Sequence, residues 1–221
     1  MTVPHKQIVC ETVEGTGRDL VWDLVVGGQS TGKFLAQTTN YHPPVVAFYR
    51  GDGAVDADTR GQETVLIEGR NFGPRGTPVQ NVTYGKAGPE FIASGCVVLE
   101  PHVVINCTTA VGAGDGLTWS VTIDEQASVS PTTDYHPPEI HSFRGPGSVN
   151  ASTDGGEEVV IVGEYFSTNR FLDKVTYGPT GVEFNADGCR VTTDHTEITC
   201  RTVPGTGRRL KWYVTVKGQT S

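Results

Sequence analysis

Residues 198–221 read ITCRTVPGTGRRLKWYVTVKGQTS, and the chain contains two further versions of this stretch. Residues 8–31 read IVCETVEGTGRDLVWDLVVGGQST, and residues 105–128 read INCTTAVGAGDGLTWSVTIDEQAS. In every version a cysteine is followed by a Gly-rich bend and then by a tryptophan. Self-similarity at a fixed period indicates a repeated structural unit, and a unit of roughly 90 to 100 residues has the size of one β-sandwich domain.

Composition and side-chain alternation indicate an all-β chain. The sequence has 28 Gly and 13 Pro, with many Val and Thr residues, which favours strands and turns over helices. Apolar residues alternate after each Gly-rich bend, as at Leu117, Trp119 and Val121, so they share one face of a strand. The pattern predicts tandem β-sandwiches whose cores include the repeated tryptophans, namely Trp22, Trp119 and Trp212.

The repeats also predict the domain boundaries. Residues 45–135 and 139–221 run through the same order of segments, from a first strand to the Trp-containing strand. Residues 1–41 hold only the last two strands of that order. The predicted organisation is the C-terminal part of a truncated unit followed by two nearly complete units, with boundaries at 1–41, 42–135 and 136–221.

The cysteines recur at a fixed interval. Cys96 precedes Cys107 by the interval that separates Cys189 from Cys200, which is the pattern of a repeated disulfide within each unit. Buried free thiols are the alternative. The same interval counted back from Cys10 falls before the first residue, so Cys10 is expected to be unpaired in this fragment. Such disulfides are typical of secreted domains.

Three triplets fit the acceptor pattern for N-linked glycans, at Asn81, Asn106 and Asn150. Strand alternation places Asn81 and Asn106 on the side opposite to their apolar neighbours, and Asn150 lies in a polar loop. The sequence therefore predicts a glycoprotein that is extracellular or attached to the cell surface, with N-linked glycans at its surface.

The order of motifs resembles the IPT/TIG domain. The motifs are G-x-N-F at 69–72, V-T-Y-G at 82–85 and 175–178, I-x-C-x-T at 105–109, and G-x-G-x-x-L-x-W-x-V-x-V at 205–216. This immunoglobulin-like family includes plexins, transcription factors and large cell-surface proteins, and the resemblance covers essentially the whole chain. It implies tandem immunoglobulin-like β-sandwiches. Two departures are the missing front half of the first unit and the polar Glu68 where the third unit has Val162.

The resemblance implies adhesion, ligand recognition or spacing, and it supplies no catalytic residue and no cofactor. The histidines His5, His102 and His195 recur at the same approach to a strand, which favours a repeated structural role. We therefore predict that the chain is not an enzyme. A net charge of −8, from 17 basic and 25 acidic residues, disfavours a nucleic acid as partner.

One loop raises calcium as an alternative site. Asp52, Asp56 and Asp58 follow the first strand of the middle unit and offer the hard oxygen ligands that this ion requires. Their spacing lacks the regular order of a dedicated calcium loop, and the matching loop of the third unit is nearly uncharged. The sequence therefore favours the absence of a metal site.

The linkers between units repeat as Tyr-His-Pro-Pro and are short. Tandem prolines stiffen a chain and exclude helix, so adjacent sandwiches are expected to touch end to end. The predicted junction residues are Tyr41, Pro43, Pro44, Tyr135, Pro137 and Pro138, although each tyrosine could instead cap its own unit.

We predict a semi-rigid tandem rod or filament subunit with a structural or adhesive role, whose partners are neighbouring IPT/TIG domains of the same or other chains. The alternative is a receptor ectodomain of plexin or fibrocystin-like type that binds a protein or glycan ligand.

Overall fold

The computed structural model describes residues 6–128 and 130–221, with only the backbone described at residues 34–36. His5 therefore lies outside the described residues. The first unit contributes four strands: β1 (Leu20–Trp22), β2 (Val25–Val26), β3 (Gln29–Ser30) and β4 (Phe34–Thr39). β1 pairs antiparallel with β4, and β2 pairs antiparallel with β3.

The middle unit is a sandwich of two antiparallel sheets. Its strands are β5 (Val45–Arg50), β6 (Thr64–Arg70), β7 (Asn81–Gly85), β8 (Phe91–Ile92), β9 (Ser94–Glu100), β10 (Val104–Thr108), β11 (Leu117–Ile123), β12 (Gln126–Ala127) and β13 (Thr132–Thr133). One sheet has the order β5-β6-β10-β9. The other has the order β12-β11-β7-β8, and β13 pairs with the start of β11. A 3₁₀ helix covers Asp52–Ala54.

The third unit repeats this arrangement. Its strands are β14 (Glu139–Arg144), β15 (Glu158–Glu164), β16 (Leu172–Gly178), β17 (Phe184–Asn185), β18 (Asp187–Thr193), β19 (Glu197–Arg201), β20 (Lys211–Val216) and β21 (Gln219–Thr220). The two sheets have the orders β14-β15-β19-β18 and β17-β16-β20-β21. The 3₁₀ helices are Pro146–Ser148 and Asn169–Phe171. Within the described residues no helix is long and apolar enough to span a membrane.

The predicted fold class is confirmed: the chain folds as all-β immunoglobulin-like sandwiches. Alternating side chains on facing strands form each core, as Val65 and Ile67 of β6 and Trp119 of β11 do in the middle unit. Trp119 is 1% exposed, and Trp212 is half-buried. The prediction that Trp22 lies in a core is wrong, because its side chain is 45% exposed and the described first unit has no second large sheet to cover it.

Each nearly complete unit contains one disulfide. Cys96 on β9 is bonded to Cys107 on β10, and Cys189 on β18 is bonded to Cys200 on β19. Each bond joins an edge strand to its neighbour in the same sheet and closes a separation of 11 residues. Cys10 is exposed and free in the described part of the chain.

Glu68 belongs to an ion pair that the third unit also forms, but with the carboxylate on a different strand. Arg50 on β5 forms an ion pair with Glu68 on β6, which lies opposite Val104 on β10. The equivalent Arg144 on β14 instead pairs with Glu197 on β19, opposite Val162 on β15. Both units thus keep an ion pair over the same sheet, with the carboxylate carried by a different strand.

Candidate functional site

The linker tyrosines belong to the units that precede the linkers. Tyr135 is 1% exposed, and its hydroxyl donates to the carbonyl oxygen of Ala110 at 2.7 Å. It accepts from the Tyr84 hydroxyl at 2.6 Å, which itself accepts the Ala110 N–H at 2.8 Å. A Cβ at Gly112 would lie 2.7 Å from the Tyr135 ring, so only glycine lets the ring lie against this backbone.

Tyr41 makes the same contacts in the first unit. Its hydroxyl donates to the carbonyl oxygen of Val13 at 2.6 Å, and a Cβ at Gly15 would lie 3.0 Å from its ring. The prediction that the tyrosine side chains pack between units is therefore wrong. They cap their own units, because a slot over a glycine and a backbone acceptor for the hydroxyl are both present there.

What the next unit contacts is the backbone of the linker tyrosine. The Gln219 side-chain amide donates to the Tyr135 carbonyl oxygen at 2.8 Å and accepts the Gly114 N–H at 3.1 Å. Gln126 likewise donates to the Tyr41 carbonyl oxygen at 3.2 Å. At each junction, one glutamine of the following unit therefore binds the linker tyrosine that ends the preceding unit.

Our sequence interpretation missed these glutamines. A glutamine stands seven positions after each repeated tryptophan, at Gln29, Gln126 and Gln219, so a regular signal was present. It drew no attention because an exposed turn glutamine is usually solvated, and only the neighbouring unit supplies its partners.

The second junction, between the middle and third units, also has apolar and buried polar contacts. The Phe91 and Phe171 ring centroids lie 5.9 Å apart, and both side chains are buried. Ser167 Oγ donates to the Gly112 carbonyl oxygen at 2.9 Å. His195 Nδ1 lies 2.8 Å from Thr59 Oγ1, and Thr59 is fully buried. These contacts exclude water from part of the junction.

The first junction, between the first and middle units, is more polar. Thr16 Oγ1 donates to a carboxylate oxygen of Asp124, and His102 Nε2 lies 3.2 Å from Glu14 Oε2. Both His102 and His195 adopt positive φ, at 66° and 69°, in equivalent turns that face the preceding unit. The recurrence of these two histidines thus reflects contacts between units.

The remaining linker residues are attached to the unit that follows. Pro44 and Pro138 are buried, whereas Pro43 is exposed and Pro137 is half-buried. Asn71 Nδ2 donates to the Pro43 carbonyl oxygen at 2.9 Å. At the equivalent place in the second linker, the rings of His136 and Tyr165 stack with centroids 4.0 Å apart. Each linker is thus anchored at its start by one unit and at its end by the next.

The two junctions use opposite ends of the middle sandwich. Contacts to the first unit come from loops after β6, β9 and β11, at His102 and Asp124 for example. Contacts to the third unit come from loops after β5, β7 and β10, at Thr59, Glu90 and Gly112. Because the paired strands are antiparallel, these two sets of loops lie at opposite ends.

The three aspartates raised as alternative calcium ligands are not gathered by the fold. Asp58 caps its own loop, since its Oδ1 accepts the Arg60 N–H at 2.8 Å and its Oδ2 lies 2.9 Å from Arg60 Nη1. Asp52 and Asp56 are exposed, and no group of three or more potential ligands occurs among residues 6–128 and 130–221. Asp58 therefore stabilises the turn of its own loop.

The three glycan acceptors differ in exposure. Asn81 at the start of β7 and Asn150 in a loop are exposed, and glycosylation of both stays a prediction. Asn106 lies in the middle of β10, which has a strand on each side, and its side-chain oxygen Oδ1 is buried without a hydrogen-bond partner. Asn106 lies on the face opposite the fully buried Ile105 and Cys107, as the alternation predicts, but there it is half-buried rather than fully exposed, and its glycosylation stays a prediction.

Comparison with known proteins identifies one unit. The sequence model of the IPT/TIG domain matches residues 138–221. These residues form an IPT/TIG domain. The middle unit has the same sheet orders as this IPT/TIG domain, apart from the additional strand β13.

No curated protein matches the chain. Among solved structures, the chain is similar to SGBP-B from a complex xyloglucan utilization locus in Bacteroides uniformis, with a TM-score of 0.34 and 17% identity. The alignment covers 80% of this chain and 47% of that one, so the chain spans about half the length of the protein it matches.

Two titratable groups contribute stability to the second junction at neutral to basic pH. The Lys217 ammonium of the IPT/TIG domain lies 2.9 Å from Glu90 Oε2 and, by this hydrogen bond, holds the pKa of that carboxyl below its usual value. Burial lowers the pKa of His195, and the nearby Arg60 adds to the effect. Asp194 and Asp58 act in the opposite direction on His195 but do not reverse the shift.

We expect the second junction to weaken as the pH falls. Both groups have folded-state pKa values below their unfolded values, so the stability they contribute is present above the unfolded pKa and lost below it. For His195 the loss begins near the ordinary histidine pKa of 6.5, and for Glu90 near the ordinary glutamate pKa of 4.5. Residual dipolar couplings measured for the middle unit and the IPT/TIG domain between pH 7.5 and 4 should show increasing independent motion.

A His195→Asn variant distinguishes the contribution of His195 from that of Glu90. Asparagine tolerates the positive φ at this position and does not titrate, so the loss that begins near pH 6.5 should disappear while the one below 4.5 remains. An unchanged profile in this variant would show that His195 does not control the junction.

Proposed function

We propose that this chain is a non-catalytic extracellular structural module, in which tandem sandwiches are held end to end as a semi-rigid rod for spacing, adhesion or filament formation. The observation that carries the proposal is the repeated junction. At both linkers, a tyrosine caps the preceding unit and a glutamine of the following unit binds that tyrosine's carbonyl oxygen. A contact that recurs at successive junctions supports a role for the array itself.

The contacts at the second junction support restricted motion. Separate domains move independently by default unless a substantial contact holds them. Here the Phe91 and Phe171 rings, the Ser167 hydroxyl and the Gln219 amide all make contacts across the junction, and the linker between the units is only a few residues long. With strands of ordinary length, each unit would add roughly 30 to 45 Å to the rod.

Placement outside the cytosol is supported by the disulfides. Paired cysteines persist in oxidising compartments and are rare in the cytosol. Both bonds join Cys residues at equivalent strands of two units, which favours a maintained structural role over chance oxidation. The exposed acceptors Asn81 and Asn150 fit the same compartment.

The physical causes of the shifted pKa values support a non-catalytic role. Desolvation raises the pKa values of Tyr84 and Tyr135, which form the capping network. The shifts at Glu90 and His195 come from contacts between units, as described above. In these groups the perturbation follows from packing, and the hydroxyl next to His195, that of Thr59, is fully buried and therefore closed to a substrate.

The rod is tested by loosening the second junction without unfolding either unit. We expect Gln219→Ala combined with Ser167→Gly to give the two units separate alignment tensors in residual dipolar coupling measurements, whereas the unaltered chain gives one. Glycine suits the positive φ of 53° at Ser167, and the middle unit has Gly73 at the equivalent place. Both changes remove hydrogen bonds across the junction and leave the sheets intact.

The matched control is Gln29→Ala. Gln29 is the equivalent glutamine of the first unit, and it is exposed and outside both junctions. It should leave the common alignment unchanged. If the unaltered chain already shows independent alignment of the two units, the rod is excluded.

Electron microscopy of native material distinguishes a filament or adhesive role of the rod from a receptor role. Long beaded fibres would favour a filament or adhesive role. Isolated stalks would favour the alternative of a receptor ectodomain, whose protein or glycan ligand would then be sought by binding assays.

A further inference from the structure

The far end of the IPT/TIG domain contains a cavity of about 360 Å³. Its lining includes Tyr177, Phe184, Val203, Gly205 and Trp212. The equivalent residues of the middle unit surround Tyr135 and the strand that leads to it. The cavity therefore corresponds to a place that is filled by polypeptide in the middle unit.

In the middle unit, three consecutive side chains make the contacts at this place. Thr133 Oγ1 accepts the Trp119 indole N–H at 2.8 Å. Asp134 Oδ1 accepts the Gly116 N–H at 2.5 Å. Tyr135 then enters its slot and donates to the Ala110 carbonyl oxygen, as described above. The preceding Thr132 and Thr133 form β13, which pairs antiparallel with the first residues of β11.

The first unit makes the same three contacts with its own segment. Thr39 Oγ1 accepts the Trp22 indole N–H at 3.0 Å, and Asn40 Oδ1 accepts the Asp19 N–H at 2.6 Å. Tyr41 follows in its slot. Both units therefore make these contacts with an extended segment of sequence Thr-Thr-Asx-Tyr, at 38–41 and 132–135.

The IPT/TIG domain presents the receiving groups of this arrangement. Tyr177 Oη accepts the Val203 N–H at 2.8 Å, as Tyr84 accepts that of Ala110, so the base of the slot is formed. Arg209 has a φ of 54°, close to the 56° of Asp19 and the 62° of Gly116. In the part of the chain that the structure describes, the Arg209 N–H and the Trp212 indole N–H make no hydrogen bond.

The neighbouring edge of β20 is also open. β11 receives β13 at Leu117 and Thr118, but the corresponding start of β20 pairs only with β16 within residues 130–221. Arg208 and Arg209 line the rim, so the rim carries positive charge beside the position of the Asx side chain. This charge suits an aspartate at that position.

We propose that this cavity is a docking site for an extended peptide segment of sequence Thr-Thr-Asp-Tyr, which adds to the edge of β20 and inserts its tyrosine over Gly205. The second threonine accepts from the Trp212 indole, and the aspartate accepts from the Arg209 N–H. The inference deepens the proposed rod and rests on it for its biological use, because the same kind of segment leads from one unit to the next.

Insertion requires two local rearrangements. The Tyr177 hydroxyl, which donates to the Val203 carbonyl oxygen at 3.2 Å, must turn to the incoming tyrosine, and the Phe184 ring must move. A Cβ at Gly205 would lie 2.9 Å from the Phe184 ring, so this ring covers part of the slot. In the middle unit the equivalent Phe91 stands edge-on to Tyr135, with ring centroids 5.7 Å apart and an interplanar angle of 66°. We expect Phe184 to rotate towards that arrangement when a tyrosine enters.

The test uses a synthetic peptide with the sequence of residues 131–138, Pro-Thr-Thr-Asp-Tyr-His-Pro-Pro, titrated into the full chain. The indole N–H resonance of Trp212 should shift, while that of Trp119, which already has a threonine partner, should not. A peptide with alanine in place of the tyrosine should bind at least about tenfold more weakly. Equal binding of the two peptides would overturn the proposal.

A second arm supplies the segment in the same chain. Appending Val-Ser-Pro-Thr-Thr-Asp-Tyr-His-Pro-Pro after Ser221 reproduces the spacing that follows Ser128, and raises the effective concentration of the segment. A shifted Trp212 resonance and a higher Tm of the IPT/TIG domain support the site, even where the free peptide binds too weakly to detect. No response in either arm overturns it, and this result leaves the alignment test of the rod unaffected.

Discussion

Replacing Tyr135 with alanine is expected to lower the free energy of unfolding of the middle unit by about 3 to 5 kcal/mol. The side chain is 1% exposed, and its ring lies edge-on to Phe91. Its loss leaves a cavity and removes the hydrogen-bond partner of Tyr84, whose ring stacks on Trp119 with centroids 4.2 Å apart. Denaturant titration followed by hydrogen exchange of the middle-unit amides measures the change.

Two further variants separate packing from hydrogen bonding in this network. Tyr135→Phe keeps the ring but removes the hydroxyl, and we expect a loss of about 1 to 3 kcal/mol from the unpaired partners. Tyr41→Ala makes the matched change in the first unit, where the side chain is only half-buried, so its cost should be smaller. A Tyr135→Ala chain as stable as the unaltered one would contradict the capping role.

The second large effect is expected from the disulfides. Changing Cys96 and Cys107 together to alanine should lower the free energy of unfolding of the middle unit by about 2 to 4 kcal/mol, because the unfolded chain gains freedom. Alanine is chosen because Cys107 is fully buried, where a serine hydroxyl would need a partner. Unfolding experiments on the oxidised chain, with and without the substitutions, give the difference.

The other cysteines provide controls. The equivalent pair Cys189 and Cys200 should show a similar effect confined to the third unit, because its separation of 11 residues is the same. Cys10→Ser should have little effect, since Cys10 is exposed and unpaired in the described chain. Full stability of the reduced chain would show that the bonds do not support the sandwiches.

The sequence predicted the strands well because each repeat carries the alternation of an amphipathic strand. It was wrong about Trp22, since alternation specifies the face on which a side chain lies but does not supply a second sheet to cover it. Alternation placed Asn106 correctly on the face opposite Cys107, but it does not indicate that the side-chain oxygen Oδ1 is buried without a hydrogen-bond partner.

The junctions were only partly predictable. The repeated linker with its prolines indicated contact between units, but it pointed to the tyrosine side chains, which lie inside the preceding units. The glutamines that make the contact, Gln126 and Gln219, are unremarkable in sequence. Their partners are backbone groups of another unit, and backbone groups have no signature in the sequence.

The sequence by itself determined the all-β class and the equivalence of the cysteines, because these depend on local alternation and on repetition along the chain. Tertiary structure alone decided which groups meet. It assigned the partner of each linker tyrosine and brought His195 to Thr59. It also paired Arg50 with Glu68 and Arg144 with Glu197. The physical reason is that these contacts join residues far apart in sequence, whose meeting depends on the packing of whole sheets and units.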